Sequence, residues 1–414
     1  MLDSITGAPL THAANPHGRH GRPLGARARA VIEPARCAAA RREIFAWPGF
    51  APTPLVDLPG LAAAAGVARI AVKDEGARFG LGSFKALGGA YAVLRQVQAR
   101  IAAATGAAPA SADILAGRHG EIARAMTVCC ATDGNHGRSV AWGARMFGPR
   151  CVIYIHEHVS QGRERAIAAF GAQVHRVAGT YDESVRQAAA DAATNGWVVI
   201  SDTSYDGYMD IPRDVMAGYG VMADEALDQW GMPAPSHVFV QAGVGGAAAA
   251  VCARLDNALG TGRPRFIVVE PERAACLFAS VREGRAARIG GDLDTMMAGL
   301  AAGDTSLLAW DVLDEGADDF LTVGDGAAAA AMRLLADGVA GDPPVVAGES
   351  AVAGLVGLLG ARTRPEVAAA LDLGPGSRVL LFLTEGDTDP ELYARIVGRP
   401  AAAVRGAPTP PPAP

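Results

Sequence analysis

The sequence predicts an α/β fold with two domains, each a twisted, mostly parallel sheet flanked by helices. The chain has 414 residues, too many for one ordinary core, because chains usually divide into domains of roughly 100–200 residues. Half of the residues are hydrophobic, which supplies ample core. Short β-branched runs alternate with Ala-rich stretches of helical length, and this repetition is typical of βαβ units in parallel sheets.

Seven short runs are predicted to form the strands. They are residues 68–72, 126–130, 151–155, 197–200, 237–240, 266–269 and 378–383. Most are followed by Gly, Asn or Pro and then by a predicted helix, as at 86–101, 138–147, 164–170, 182–193 and 246–259. Ligands bind at the carboxyl ends of parallel strands, where loops turn into helices, so we expect the chemistry in those loops.

Charge, hydropathy and cysteine usage argue against several classes of protein. The formal net charge is −6, and no clustered stripe of Lys and Arg would follow a phosphate backbone, so we expect no nucleic-acid partner. No apolar stretch reaches the roughly 18 residues of a membrane span, and we see no secretory signal. None of the six cysteines has CxxC or zinc-finger spacing, which argues against a metal site and favours a cytoplasmic location. Cys129 and Cys130 lie in an apolar run, which predicts that both thiols are buried.

Lys85 follows the first predicted strand and directly precedes the predicted helix 86–101. A lysine at such a position is usually a solvated surface residue. The partial positive charge of a helix N-terminus disfavours the ammonium form, so we expect a lowered pKa, as Schiff-base chemistry requires. Phe84 precedes the lysine, and Gly88 and Gly89 follow it, which leaves room for a ring to approach.

Two other loops place polar side chains after predicted strands. Residues 131–137 bracket Asn135 and His136 with glycines, which is typical of an ordinary Asx turn but also directs the Asn135 amide into the crevice. His136 by itself is better interpreted as a structural histidine. Thr384 follows the last strand in a turn rich in Asp and Thr, where its hydroxyl would point into the crevice.

A glycine-rich turn, residues 243–246, lies between a predicted strand and a predicted helix. Glycines allow the backbone to approach an anion, and the helix dipole favours negative charge there, which predicts a phosphate site. With Ala248, the turn also satisfies the dinucleotide fingerprint GxGxx[GA], and Glu270 could act as the ribose-binding acid. This loop alone supports the two interpretations about equally.

Together, these loops resemble those of the fold-type II family of pyridoxal-phosphate (PLP) enzymes, which includes threonine and serine dehydratases, cysteine synthases and the tryptophan synthase β-subunit. The order and spacing agree across residues 50–390. The resemblance implies PLP as cofactor, with Lys85 as its Schiff-base lysine and Asn135 beside its phenolic oxygen. It also implies that the Thr384 hydroxyl contacts the pyridine nitrogen and that Phe84 lies beside the cofactor ring. The phosphate would be bound by the turn formed by Gly243, Val244, Gly245, Gly246 and Ala247.

On this basis, residues 31–86 and 207–400 are assigned to a large PLP-binding domain, and residues 87–206 to a small inserted domain. Residues 1–30 are rich in Gly, His, Arg and Pro, so we expect a poorly ordered tail or a loosely packed arm. Residues 401–414 are rich in Ala and Pro and are predicted to form a second, disordered tail.

Within the family, the motifs are most similar to those of diaminopropionate ammonia-lyases. Residues 78–91 resemble the lysine segment of that subfamily, and residues 132–138 resemble its asparagine loop, in which Asp133 replaces the Ser usual in plain dehydratases. Gly82 departs from the pattern, because the subfamily usually has Asn there. The resemblance implies elimination of ammonia from 2,3-diaminopropionate, D and/or L, giving pyruvate, by a homodimer.

The resemblance also assigns roles to individual side chains. Lys85 is expected to serve the face from which the L isomer loses its Cα proton. Asp133 is the candidate base for the D isomer on the opposite face, and Asp202 is expected to pair with the β-ammonium group. Ser83 and Thr132, together with both aspartates, are expected to contact the amino-acid substrate.

Three alternatives stay open at this point. The same cofactor could serve a serine/threonine dehydratase or a β-replacing synthase. The chain could be a dinucleotide-binding protein built on residues 243–248, or a PLP-binding protein without turnover.

Overall fold

The computed structural model describes residues 2–132 and 134–406. Within these ranges, the strands are β1 (Leu10–Ala14), β2 (Leu55–Asp57), β3 (Arg69–Asp74), β4 (Thr127–Ala131), β5 (Arg150–His156), β6 (Gln173–Val177), β7 (Val198–Val199), β8 (His237–Gln241), β9 (Arg265–Pro271), β10 (Asp319–Val323) and β11 (Arg378–Leu383).

The helices account for most of the remaining chain. The first ten are α1 (Leu2–Thr6), α2 (Ala26–Val31), α3 (Pro34–Phe45), α4 (Pro59–Ala65), α5 (Lys85–Thr105), α6 (Ser111–Leu115), α7 (Gly120–Arg124), α8 (Asn135–Phe147), α9 (Gln161–Ala168) and α10 (Tyr181–Asn195). The others are α11 (Asp210–Trp230), α12 (Gly246–Leu259), α13 (Cys276–Glu283), α14 (Leu307–Gly316), α15 (Asp325–Asp337), α16 (Ala353–Arg362), α17 (Pro365–Ala370), α18 (Pro390–Val397) and α19 (Ala401–Val404).

Two compact units divide the chain. The first unit is drawn from Met1–Val31, Thr53–Ala77 and Met222–Pro414, and the second from Ile32–Pro52 and Arg78–Val221. These bounds differ from the predicted domains at residues 32–52, 78–86 and 207–221, which the sequence places with the large domain and which the structure groups with the smaller unit.

The first unit contains a seven-stranded sheet in the order β1–β10–β9–β8–β11–β3–β2. Its five inner strands run parallel, and the two edge strands pair antiparallel to their neighbours. Every residue of β8 and β10 is buried, as expected for parallel strands covered on both faces. Because β8 and β11 are neighbours, the loops that follow them lie at the same edge of this sheet.

The second unit contains a four-stranded sheet in the order β6–β5–β4–β7, and all of its pairs are parallel. Helix α8 packs on β4 and β5 and also contacts α5. Because β4 and β7 are parallel neighbours, the loops that follow them lie at one edge of this sheet. The predicted α/β architecture, with mostly parallel sheets flanked by helices, is confirmed.

The N-terminal segment differs from its prediction. Residues 2–31 form α1, β1 and α2 in place of a poorly ordered tail, and β1 pairs along its whole length with β10. The Asn15 amide anchors this segment by donating to the carbonyls of Asp314 and Ala317, both at 2.7 Å. At the other end, Ala401–Val404 form α19 in place of a disordered tail, and residues 407–414 lie outside the described residues.

Within the described parts of the chain, no helix has both the length and the apolar character needed to cross a membrane. The same residues contain no group of three or more His, Cys, Asp or Glu side chains arranged to hold a metal ion. All six cysteines are buried and none of them forms a disulfide, and the predicted burial of Cys129 and Cys130 is confirmed.

Candidate active site

Lys85 is the first residue of α5, and its amine lies in a cluster of polar and aromatic groups. Its Nζ forms an ion pair with Oδ2 of Asp202, which lies in the loop after β7. The ring centroids of Phe84 and Tyr219 are 5.3 Å and 5.5 Å from the same nitrogen. The side chains of Lys85 and Asp202 are only 20% and 16% exposed, so water screens this pair weakly.

The sequence-based expectation of a lowered pKa for Lys85 is wrong. Burial disfavours the ammonium form, but the attraction of the Asp202 carboxylate outweighs it and raises the pKa of Lys85 above its ordinary value. Burial likewise acts to raise the pKa of Asp202, but the ammonium holds that pKa well below its usual range. A helix N-terminus contributes only about 0.3–1 kcal/mol at an exposed site, so the adjacent carboxylate decides the charge state.

Tyr219, on α11, was not identified from the sequence. Its hydroxyl lies 3.5 Å from Oδ2 of Asp202, and its ring lies 4.6 Å from that of Phe84, centroid to centroid. The ring occupies the space left by Gly88, where a Cβ atom would lie 2.3 Å from Cε1 of Tyr219. The glycine at position 88 therefore accommodates the Tyr219 ring, and the approach of a cofactor ring on this side of Lys85 stays a prediction.

A second glycine brings α11 against α5. A Cβ atom at Gly218 would lie 2.4 Å from the carbonyl oxygen of Leu87. Because neither helix has a side chain at this crossing, Tyr219 reaches the amine at the start of α5. Two glycines on separate helices were the only indication of this contact in the sequence.

The turn after β4 is held by Thr132. Its Oγ1 accepts the backbone N–H groups of Gly134 and Gly137, both at 3.0 Å, and the residue is buried. Asn135 is the first residue of α8 and is partly buried. Asp133 lies outside the described residues. Of the other predicted substrate contacts, Ser83 is buried next to Phe84 in the chain.

His136 is fixed by one ring nitrogen and directs the other at Asp202. Its Nε2 lies 2.8 Å from the carbonyl oxygen of Ile200, and because a carbonyl can only accept, Nε2 carries a proton. Its Nδ1 is buried without a hydrogen-bond partner in the described chain and lies 3.9 Å from Oδ2 of Asp202. Burial lowers the pKa of His136.

The glycine-rich turn joins β8 to α12 in the first unit. Gly245 has φ = +98°, a left-handed conformation that favours glycine, and a Cβ there would lie 3.0 Å from that of Ala309. The Val244 carbonyl accepts the N–H of Ser306 at 3.0 Å, which ties the turn to α14. The first N–H groups of α12 have no intrahelical acceptor, so they can bind an anion.

Glu270 does not fit the role of a ribose-binding acid. It is fully buried, and its two carboxylate oxygens accept the N–H groups of Leu277 and Phe278, at 2.9 Å and 2.6 Å. Burial raises the pKa of Glu270 to about 8. Since this side chain caps the start of α13, the dinucleotide interpretation loses its acid, and the phosphate interpretation of the turn is favoured.

Thr384 follows β11 at the same sheet edge as the glycine-rich turn. Its Oγ1 accepts a hydrogen bond from Nε2 of Gln241 at 2.7 Å. Gln241 is the last residue of β8 and also donates to the carbonyl of Phe382 at 2.8 Å. The Thr384 oxygen therefore has a fixed position, and its own proton can be donated to a further acceptor.

Comparisons with known proteins agree with these features. Residues 46–385 match the family described as "Pyridoxal-phosphate dependent enzyme". The chain is 38% identical over 357 residues to the diaminopropionate ammonia-lyase of Escherichia coli K12, covering 84% of this chain and 88% of that relative.

Solved structures are similar over nearly the whole chain. Holo diaminopropionate ammonia lyase from Escherichia coli, with selenomethionine incorporated, aligns with a TM-score of 0.85 and 34% identity. The same enzyme in complex with an aminoacrylate-PLP azomethine reaction intermediate aligns with a TM-score of 0.81 and 34% identity. Each alignment covers 94% of this chain and 97% of the other.

Proposed function

Because the chain belongs to the family of pyridoxal-phosphate-dependent enzymes, and within it to the diaminopropionate ammonia-lyases, we propose that it converts 2,3-diaminopropionate to pyruvate and ammonia. The observation that supports this proposal most directly is the ion pair between Asp202 and the amine of Lys85, the first residue of α5. That pair combines the amine that a PLP enzyme needs with a carboxylate suited to a cationic amino acid.

The residues present fit PLP in three respects. Lys85 offers a primary amine in a largely buried position. The N-terminus of α12, preceded by the left-handed Gly245, suits a phosphate, and the Thr384 hydroxyl, held by Gln241, suits a pyridine nitrogen. When bound, PLP supplies an aldehyde that bonds to amines and a ring system that delocalises a carbanion.

We propose that Lys85 carries the cofactor, beside the ring of Phe84, and that Asn135 contacts its phenolic oxygen. The phosphate is assigned to the turn after β8, formed by Gly243, Val244, Gly245, Gly246 and Ala247. Ser83 and Thr132 are proposed to contact the substrate from the loops that carry Lys85 and Asn135.

Asp202 has a clear electrostatic task in this reaction. An amine leaves readily only when it is protonated, and a carboxylate beside the β-amino group keeps that group in its ammonium form. In the structure, Asp202 is already paired with one ammonium, that of Lys85. The β-ammonium of the substrate can replace it, which keeps the buried carboxylate paired; losing a partner from such a pair typically costs about 3–5 kcal/mol.

Proton removal from the two isomers requires bases on opposite faces. We propose that Lys85 removes the Cα proton of the L isomer and Asp133 that of the D isomer. The Asp133→Asn variant should then lose more turnover of the D isomer than of the L isomer, because an amide cannot act as the base. Pyruvate formation from each isomer measures this, and equal losses would reject the opposite-face assignment.

The function is tested by a substrate panel on the purified protein. Ammonia and pyruvate are expected from D- or L-diaminopropionate in preference to serine and threonine, which separates the lyase from a dehydratase. Release of no product from any of them would leave a PLP-binding protein without turnover.

The cofactor linkage has an independent test. The sequence contains two lysines, Lys73 and Lys85, so borohydride reduction and peptide mass spectrometry can identify the modified one. We expect the label on Lys85 and its loss in Lys85→Ala. A wild-type protein that stays colourless with added PLP would refute the assignment.

We further propose that the enzyme is a cytoplasmic homodimer. The six buried cysteines form no disulfide, which is consistent with a reducing compartment, and the family supplies the expectation of a dimer. Light scattering on the purified protein tests the oligomeric state.

A further inference from the structure

The ion pair between Lys85 and Asp202 poses a problem for the proposed function, on which this inference rests. An amine must be neutral to bond to an aldehyde or to take up a proton. In the structure, however, the amine is held as an ammonium ion by Asp202. Deprotonating Lys85 into solvent would leave the Asp202 carboxylate without its cation in a largely buried position, which is unfavourable.

We propose that His136 is the positioning residue that accepts the proton of Lys85. The proton leaves Nζ of Lys85, passes along Oδ2 of Asp202 and ends on Nδ1 of His136. One N–H bond breaks at the lysine and one forms at the imidazole, and Asp202 is a carboxylate before and after. The cluster keeps its net charge, and the carboxylate exchanges an ammonium partner for an imidazolium partner. Because Asp202 raises the pKa of Lys85 and burial lowers the pKa of His136, the proton rests on the lysine and its transfer to the imidazole is transient.

The arrangement of the imidazole supports this assignment. The bond from Nε2 to the Ile200 carbonyl fixes the ring, so Nδ1 is the nitrogen that can gain or lose a proton. That atom is buried and without a hydrogen-bond partner in the described chain, and unsatisfied buried polar atoms are rare. It lies 3.9 Å from Oδ2 of Asp202, about 1 Å beyond hydrogen-bond distance.

One carboxylate oxygen is common to all of these contacts. Oδ2 of Asp202 pairs with Lys85 and lies 3.9 Å from Nδ1 of His136 and 3.5 Å from the hydroxyl of Tyr219. A proton can therefore pass from lysine to histidine at a single oxygen, without rotation of the carboxylate. Tyr219 orients that oxygen from the side of α11.

Other titratable groups that act on Asp202 remain neutral. Burial raises the pKa values of Tyr219 on α11, Cys130 on β4 and Tyr208 in the turn before α11, so none of them competes for the proton near neutral pH. Arg163, on α9, packs against the turn at Gly134 and adds a fixed positive charge on that side. Among the described residues, the lysine and the histidine are therefore the groups that exchange the proton.

The first test is a titration of His136 by NMR in the full-length protein stripped of cofactor, with isotope-labelled histidine. The chain has nine histidines, and His136→Gln identifies the signal by its loss while its amide can still donate to the Ile200 carbonyl. In Lys85→Met, the imidazole should become the cation of Asp202, and its pKa should rise by about 1–3 units relative to the wild type. Adding Asp202→Asn should abolish that rise.

Two results would overturn the proposal. One is the same His136 pKa in Lys85→Met and in the wild type. The other is a rise that persists after Asp202→Asn, because the effect would then not depend on the carboxylate. Circular dichroism establishes that the variants are folded.

A second measurement keeps the proposal testable if Lys85→Met does not fold. Only the neutral form of an amine reacts with acetic anhydride, and of the two lysines Lys73 is fully buried, so mass spectrometry reads the acetylation of Lys85 directly. The rate of Lys85 acetylation at pH 8 should fall by about tenfold in His136→Gln, which is equivalent to a rise of one unit in the pKa of Lys85. The matched control, His158→Gln at an exposed position, should leave that rate unaltered. Equal rates in wild type and His136→Gln would refute the proposal.

These measurements use no substrate, so they separate the two proposals. An unaltered His136 titration would leave the substrate panel unaffected. Conversely, if the protein turned over none of the substrates, the NMR titration and the acetylation rates would still test proton transfer from Lys85 to His136.

Discussion

Replacing Gly88 by Ala tests whether the close contact between α5 and Tyr219 limits the stability of the second unit. The new Cβ would lie 2.3 Å from Cε1, 2.7 Å from Cδ1 and 2.8 Å from Cζ of the Tyr219 ring. Tyr219 is only 1% exposed, so the ring has little room to withdraw. Overpacking of this kind costs about 1–3 kcal/mol, against about 1 kcal/mol gained from replacing a helical glycine.

We therefore expect Gly88→Ala to be net destabilising by up to about 2 kcal/mol. For a cooperative unit of this size, each kcal/mol lowers the Tm by about 2–4 °C, which thermal unfolding followed by circular dichroism resolves. The matched control is Gly162→Ala in α9, where the added Cβ would have only Ser160 Oγ nearby, at 3.8 Å. That substitution should be neutral or slightly stabilising.

A double-mutant cycle isolates the contact itself. In a Tyr219→Ala background, the added methyl group at position 88 enters vacated space, so Gly88→Ala should become neutral or stabilising through its helix propensity. The same loss of Tm in both backgrounds would refute the explanation. The cause would then lie in the backbone of α5, and Tyr219 would not be the residue that requires a glycine there.

Two other expectations concern buried charges of the first unit. Burial raises the pKa of Glu270 to about 8 from an ordinary 4.5. Because the folded state therefore holds this proton more tightly than the unfolded chain, the free energy of unfolding should decline as pH rises from about 5 to 8. Glu270→Gln should lack that decline when urea unfolding is measured across this range. Arg263 and Asp318 form an ion pair at 3.2 Å with side chains 1% and 4% exposed, so Arg263→Met should lose about 3–5 kcal/mol of stability. Adding Asp318→Asn should recover much of that loss, and no recovery would indicate that packing, not charge, is responsible.

The strands found from the sequence are those whose own residues determine their burial. The run 378–383 is the six-residue strand β11, and 237–240 matches β8 to within one residue, because continuous apolar and β-branched residues suit a doubly covered parallel strand. The left-handed turn at Gly245 was also predictable, since few residues other than glycine adopt that conformation.

Four strands were missed: β1, β2, β6 and β10. Burial does not account for all four, since every residue of β10 is buried, but β1 and β6 depend on distant partners. β1 (LTHAA) has no strand-like composition and is a strand because it pairs with β10 at an edge of the sheet. β6 (QVHRV) is another edge strand, with two exposed residues in its middle and one at its start. Such segments have little apolar periodicity, so their sequence resembles that of a loop.

The same limit applies to the site. The loops bearing Lys85, Asn135 and Thr384 were predictable because each follows a strand, whereas Tyr219 lies within a long helix and reaches the amine only because α5 and α11 cross at glycines. The charge of Lys85 was wrongly predicted for a related reason. A helix N-terminus is visible in the local sequence, but a carboxylate 117 positions away is brought to the amine only by the fold.

The two lysines of the chain show why one of them is suited to chemistry. An ammonium group has three N–H donors, and those of Lys73 are matched by the Thr53 carbonyl, Glu225 and Gln229, at 2.5, 2.8 and 3.0 Å. Lys73 has no exposed surface, and loss of its proton would remove the ammonium partner of the buried Glu225 carboxylate. Lys85 is instead anchored by a carboxylate that also borders a second proton acceptor, His136. In the proposed transfer its proton can therefore pass to another group of the cluster, a route that the contacts of Lys73 do not offer.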